Sequence, residues 1–334
     1  MNIRTIAGSA FLATSLAAGA VFAEEGLEEP FQADFRAALE GAKVAFVPVA
    51  MGFDLTEGWF AGLSRELEPF GVEMVLRDPN WDPNAGAQAL TQLIAEEPDV
   101  IVVHNPDVQT YARLLRRAEN AGIHIVQVNM ASAVPTASFV GANWIEIGER
   151  AAQAVVDHCQ NTSNKVAIVE GVPSAAASAY TLRGVDTVFS ANPQIEVVSS
   201  QAANWDASTA RSITQTVLQQ HPDLCGIVGF WDGMDIGTAA AVKEAGLEDQ
   251  IFLATSGGGE ARGACAQVEA GAFDLNLSYD VPTQAAQMAG QIKWLLSSGV
   301  EAGTVKGFAY TTLIPITPEN AGSPLACWNL SDLQ

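Results

Sequence analysis

The chain has 334 residues, more than one ordinary hydrophobic core accommodates, so two domains are expected. Its hydrophobic fraction of 49% is too high for a disordered chain. Lys plus Arg is 16 against 38 Asp plus Glu, a net charge of −22, which repels a phosphate backbone and sets nucleic acid aside as a partner.

Residues 1–23 read as a secretory signal peptide. Arg4 supplies positive charge, residues 5–22 are apolar and small, and Val21-Phe22-Ala23 fits the site that a signal peptidase reads. The mature chain is expected to begin at Glu24. The segment is rich in Ala, Gly, Ser and Thr, which makes it weakly apolar for a membrane anchor, and no comparable run follows.

Residues 24–41 are acidic and irregular, with one helical turn expected. A repeating pattern starts at Lys43. Apolar strands are predicted over 43–50, 72–77, 99–104, 123–129 and 138–142, separated by helices over 56–70, 84–97 and 108–121. The pattern restarts with a helix over 144–158. Strands over 165–170, 195–200, 226–230, 250–255 and 272–279 then alternate with helices over 179–191, 207–220, 233–245 and 260–271. A helix over 281–298 and a last strand over 308–316 follow. The tail from Thr317 is rich in turn-formers.

Continuous apolar runs alternating with amphipathic helices mean parallel strands covered on both faces. The fold class is therefore α/β, with two successive doubly wound parallel-sheet lobes. No Gly/Ser or Pro linker separates them, so the chain is expected to cross on ordered segments. Two such lobes facing each other make a cleft, and hinge closure buries a ligand there.

In open parallel sheets, ligands bind beyond the carboxyl ends of the strands. The strand over 226–230 ends in Trp231 and Asp232. A flat apolar face beside two acceptors suits a polyhydroxylated ring. Either residue alone is more often core or a helix N-cap. Other strands end in a similar way, however. Phe53, Trp59 and Phe60 follow the first strand, Trp205 follows the strand over 195–200, and Tyr279 ends a later one. Trp144 opens a helix at the crossover. Polar residues at equivalent ends are Asn105, Asn129, Arg183, Asp232, Ser256 and Asp280.

Signals for chemistry are missing. Ser256-Gly-Gly-Gly-Glu260 lacks the spacing of a nucleotide-binding loop and reads as a turn that lets backbone approach a ligand. His104, His124, His158 and His221 form no metal-spaced pair. His104 precedes Asn105 at a strand end, where a satisfied polar residue is its commoner role. No Gly-x-Ser-x-Gly elbow occurs. Asp54, Asp232 and Asp280 are not spaced as an acid–base pair. No catalytic residue, metal or cofactor is expected.

Export permits disulfides. Cys159, Cys225, Cys265 and Cys327 allow three pairings, among which sequence does not choose. Element order places Cys159 and Cys225 on one edge of one domain. A Cys265–Cys327 bridge would staple the tail.

These residues carry a family resemblance. From about Lys43 to Ile316 the chain resembles the periplasmic sugar-binding proteins of ABC importers, the ribose-binding-like type I group. The first strand with Phe53, Trp59 and Phe60 is similar to the family's first strand and its sugar-stacking aromatics. Pro98-Asp-Val-Ile-Val-Val-His-Asn105 resembles another family segment. So do Arg183-Gly184, Asn204-Trp205-Asp206, and His221-Pro-Asp-Leu224 with Phe230-Trp-Asp-Gly-Met234. The resemblance implies a monomeric periplasmic receptor, in a Gram-negative bacterium, that hands a small sugar or polyol to a membrane permease. It implies three crossings, near 142–143, 280–281 and 315–316. The lobes are then 24–142 plus 281–315, and 143–280 plus 316–334. Three positions depart from the family: Asn129 and Ser256 stand where Asp is usual, and Trp231 where Asn is usual. The pocket is expected to be more aromatic and less acidic. An aromatic cage for a small cation and a chemotaxis receptor of the same fold are the alternatives.

Overall fold

The computed structural model describes residues 30–334. The expected signal peptide and the start at Glu24 lie outside the described residues. Among the described residues, no helix is long and apolar enough to cross a membrane.

The first half begins with α1 (Pro30–Leu39), β1 (Lys43–Val47), α2 (Asp54–Leu67), β2 (Glu73–Leu76) and α3 (Pro83–Glu96). It continues with β3 (Val100–Val103), α4 (Ala112–Asn120), β4 (His124–Val128) and β5 (Ser138–Gly141). The second half runs α5 (Trp144–Cys159), β6 (Lys165–Glu170), α6 (Ala176–Ala191), β7 (Glu196–Ala202), α7 (Ala207–Gln220), β8 (Gly226–Gly229) and α8 (Asp232–Ala245). It ends with β9 (Phe252–Gly257), α9 (Ala266–Glu269), β10 (Leu275–Ser278), α10 (Val281–Ser297), β11 (Gly307–Tyr310) and β12 (Ile314–Ile316). Helix α1 has 10 residues, longer than the single turn expected. The helix expected over 260–271 is a π-turn, Ala261–Cys265, followed by α9.

The strands form two six-stranded sheets. One has the order β11-β5-β4-β3-β1-β2, the other β12-β10-β9-β8-β6-β7. The first is wholly parallel. The second is parallel except where β12 runs antiparallel to β10. Central strands β3, β4 and β8 are buried on both faces, which is why they read as unbroken apolar runs. Edge strand β7 is half-exposed and accordingly polar. Both sheets reverse direction at the same place, between β1 and β3 and between β6 and β8. That reversal opens a crevice at the strand carboxyl ends.

The single strand expected over 308–316 is two strands in different sheets. The third crossing therefore lies at residues 311–313, not at 315–316. Its first residue, Thr311, joins all three crossings. The Thr311 N–H donates to Gly141 O at 2.9 Å, and its hydroxyl donates to Tyr279 O at 2.8 Å. Gln284 Nε2 donates to the same hydroxyl at 3.3 Å, while Gln284 Oε1 accepts from Trp59 Nε1 at 2.9 Å. A buried polar network thus sits where the lobes meet, with every named group paired.

Two disulfides form, Cys159–Cys225 and Cys265–Cys327, the pairs that element order suggested. The first ties the end of α5 to the start of β8. The second holds the tail, whose Trp328 Nε1 donates to Gly258 O at 2.7 Å and whose Asp332 O accepts from Arg65 of α2 at 2.6 Å. Closing loops of 66 and 62 residues removes chain entropy worth about 4 kcal/mol each. A Cys265→Ser/Cys327→Ser variant is expected to unfold at lower denaturant, with a loss of about 2–4 kcal/mol, and to expose residues 317–334 to protease. An unchanged midpoint and digestion pattern would contradict the stapling role.

Candidate functional site

The carboxyl ends of the two sheets face each other across a narrow chamber of about 40 Å³, closed down by the aromatic rings that line it. Each wall follows from the strand order. Val49 lies just beyond β1, His104 beyond β3, and Asn129 and Met130 beyond β4. Phe230 and Trp231 lie beyond β8, and Tyr279 beyond β10. Phe53, Leu55, Trp81, Trp144, Ala177 and Trp205 complete the lining.

Trp231 is the centre of an aromatic cluster that crosses the chamber. Its ring centroid lies 5.5 Å from Phe53, 6.2 Å from Trp81 and 6.3 Å from Trp205. Phe53 and Trp81 stack at 5.4 Å with an interplanar angle of 20°. Phe53 and Trp81 come from the first lobe, Trp205 and Trp231 from the second. Asp235, one turn into α8, holds the Trp231 backbone by accepting from its N–H at 3.2 Å. Asp235 is itself fixed by the Thr255 and Thr238 hydroxyls, at 2.6 and 3.1 Å.

Trp81 and Trp205 are presented by the same device. Asn80-Trp81-Asp82 and Asn204-Trp205-Asp206 each follow the edge strand of their sheet. Both Asn-Trp pairs are left-handed, with φ of 49° and 65° in the first and 56° and 66° in the second. Asn tolerates that region, whereas Trp there is a true outlier. Each Asp then caps the next helix, Asp82 accepting from Asn84 N at 2.8 Å and Asp206 from Thr209 N at 2.7 Å. The Trp81 N–H donates to Val49 O at 2.8 Å, and the Trp205 ring rests on the backbone of Gly171, where a Cβ would collide with it. Strained backbone held by caps on both sides marks positions where placement of the ring matters. Beyond the two indoles lies a wider outer chamber of about 380 Å³, which Asp82, Asp107 and Asp206 also line.

Of the residues picked from sequence, the chamber brings together Phe53, Asn129, Trp205, Trp231 and Tyr279. The others are placed elsewhere. Trp59 is fully buried behind the chamber, bonded to Gln284 and edge-on to His104 at 5.2 Å, so it braces the crossings. Phe60 stacks on Phe46 at 5.8 Å against the sheet. Asn105 is buried and donates to Gln127 Oε1 and Met130 O, shaping the loop that carries Met130. Arg183 is exposed on α6, because Thr181, Gly184 and Val185 are the residues that face inward there. Asp232 accepts from Gly233 N at 2.7 Å and Asn276 Nδ2 at 3.0 Å, inside the second lobe. Ser256 donates to Phe230 O and meets the Tyr279 hydroxyl at 2.7 Å. Asp280 caps α10 through Thr283 N.

Trp81 and Met130, which the sequence did not single out as site residues, also line the chamber, as do Trp144, noted at the crossover, and His104, read as a satisfied polar residue. The repeat of Asn-Trp-Asp in the two halves is the signal that could have found Trp81. Trp144 Nε1 donates to Asn129 O at 2.9 Å and fixes that loop. Burial pushes His104 down to about 3, so it is a neutral wall.

A family model described as "Periplasmic binding protein domain" matches residues 44–299. The ribose import binding protein of Bacillus subtilis is 24% identical over 188 residues, 56% of this chain. The match spans 61% of that protein, so the chain covers about three fifths of it. The D-apiose import binding protein of Paraburkholderia graminis is 25% identical over 234 residues, 69% of this chain and 74% of that one. Among solved structures, a galactofuranose binding protein superposes with a TM-score of 0.76 at 17% identity, covering 85% of this chain and 97% of that one. A solute binding protein from Burkholderia graminis in complex with D-arabinose gives 0.77 at 18% identity, with 85% and 98% covered. These structural likenesses establish the fold.

Beneath the chamber the lobes bring carboxylates together. Asp54 opens α2 and Asp232 opens α8, and they flank Gly257 and Gly258. A Cβ on Gly257 would strike the Asp232 carboxylate, and one on Gly258 would strike that of Asp54. Burial, with the charge of Glu260 adding, raises Asp54 to about 6. Burial, with the charge of Asp54 adding, pushes Asp232 well up. Burial raises Asp235 to about 7. In the unfolded chain these groups titrate near 3.8. Between that value and the folded ones, the folded chain binds more protons. Stability is therefore expected to fall as pH rises from about 4 to about 7. Asp107 and Asp206, held low by hydrogen bonds, act the opposite way in more acid solution. Melting temperature measured from pH about 5 to about 8 should decline, and Asp54→Asn should flatten the decline. A flat or rising profile in the wild type would refute this electrostatic reading.

Proposed function

Because this chain belongs to the periplasmic binding protein domain family, we propose that it captures a small sugar or polyol between its lobes and delivers it to the permease of an ABC importer. The family is one of binding proteins, not enzymes. The observation that carries the reading is the aromatic cluster at the facing strand ends, with Phe53 and Trp81 on one lobe and Trp205 and Trp231 on the other. A sugar ring has apolar faces, and opposed aromatic faces grip it without fixing its rotation. The Asn129 carboxamide oxygen and the Trp231 indole N–H are buried at this place without partners, and they supply direction.

The relatives support the same ligand class. Curated ones are a ribose and a D-apiose import binding protein, and a solved neighbour holds D-arabinose. The capture cycle needs the lobes to part. Its hinges are residues 142–143, 280–281 and 311–313, and Thr311 keeps them in register. The lobes are then residues up to 142 plus 281–310, and 143–280 plus 314–334. Family members are periplasmic, and this chain works there as a monomer after loss of residues 1–23. A caged cation fits less well, since among the described residues no carboxylate lines the inner chamber.

A thermal-shift screen of the mature protein against sugars, polyols and small amines tests the reading. A ligand of the folded state alone raises the midpoint with its concentration over its Kd. The best sugar should then lose at least about 30-fold in affinity in Trp231→Ala, while the melting temperature of the unliganded variant stays within a few degrees. Equal affinity in the variant would remove Trp231 from the site.

A further inference from the structure

The hydrogen-bonding inventory of the inner chamber is small and uncharged. Among the described residues, no Lys, Arg, Asp or Glu lines it. Trp144 spends its indole N–H on Asn129 O. Ser256 donates to Phe230 O, so the Tyr279 hydroxyl spends its proton on Ser256. The acceptors that remain are the Asn129 amide oxygen and the Tyr279 phenol oxygen, since the acceptor nitrogen of neutral His104, Nε2, faces Asn129 Nδ2 at 3.5 Å. Donors are the Trp231 indole N–H and those of the half-exposed Trp81 and Trp205. The rest of the wall is hydrocarbon or aromatic face: Val49, Leu55, Met130, Ala177, Phe230 and Phe53.

An ordinary pentose or hexose carries a hydroxyl on almost every ring carbon, and each needs an acceptor for its proton once water is gone. A carboxylate serves that need best, because it accepts only and accepts strongly. Here Asn129 is an amide, and Asp232 is turned to Asn276 and Gly233 inside its own lobe. A hydroxyl placed against Val49, Leu55 or Phe230 would be stranded, whereas a methyl group or a bare CH₂ there would be buried with gain.

Resting on the sugar-capture reading, we propose that the inner chamber selects a neutral sugar poor in hydroxyls, a deoxygenated or O-methylated one, over the fully hydroxylated parent. The paired indoles Trp81 and Trp205 cover its apolar face. The outer chamber, lined by Asp82, Asp107 and Asp206, turns away acidic sugars.

Titration calorimetry on the mature protein with matched pairs tests this. The pairs are D-galactose with D-fucose, D-ribose with 2-deoxy-D-ribose, L-mannose with L-rhamnose, and D-glucose with methyl β-D-glucoside. Each stranded hydroxyl is expected to weaken binding roughly tenfold, so the tightest ligand should be the hydroxyl-poor member of its pair by about that factor. Asn129→Asp, which restores a carboxylate acceptor, should narrow the gap. A parent sugar that binds as tightly as its partner, or more tightly, overturns the selectivity and leaves sugar capture standing. Absence of heat from every pair overturns both.

Discussion

Trp231 touches Phe53, Trp81 and Trp205, and these contacts are where the two lobes recognise each other at the strand ends. The contacts require a buried strand that stops at the right place, since β8 delivers Phe230 into the core and Trp231 into the chamber. They also require a second anchor. Asp235 provides it by holding the Trp231 backbone, and its own burial raises its carboxyl to about 7. A ring that packs against partners on both lobes can exchange them for the faces of a ligand with little loss of apolar burial. That exchange links closure to capture.

The same plan is built twice. Both sheets have the same strand order and the same reversal, and both use Asn-Trp-Asp after the edge strand to lift an indole over the cleft. The duplication explains why a left-handed Trp is tolerated twice: the cap of the following helix and a backbone hydrogen bond hold each turn closed. The three crossings carry no side chain into the chamber. Their hydrogen bonds converge on Thr311, beside Trp59 and Gln284, so the lobes meet at a hydrogen-bonded node while the aromatic faces lie farther out.

Much of this was legible in the sequence. Unbroken apolar runs such as Val100–Val103 announced parallel strands, and the alternation with helices announced two lobes. The splitting of 308–316 between two sheets was not legible. Both pieces are extended and apolar, and only tertiary pairing separates Tyr310 from Ile314. The site was half legible. Strand ends indicate where a cleft lies, and Phe53, Asn129, Trp205, Trp231 and Tyr279 line the chamber there. Which way a side chain turns at a strand end is decided by helix phase and by caps. Arg183 faces solvent and Asp232 faces Asn276 for that reason, and Trp59 enters the crossings rather than the chamber. Trp81 lies in a turn beyond the edge strand β2, and only its repeat in the second half betrays it.

The most direct test is a crystal structure of the protein with the sugar that stabilises it most. Density for the ring is expected between Phe53 and Trp81 on one side and Trp205 and Trp231 on the other, with hydrogen bonds to Asn129 Oδ1 and Trp231 Nε1. A sugar bound outside the chamber, with the four aromatic rings still packed on one another, would contradict it.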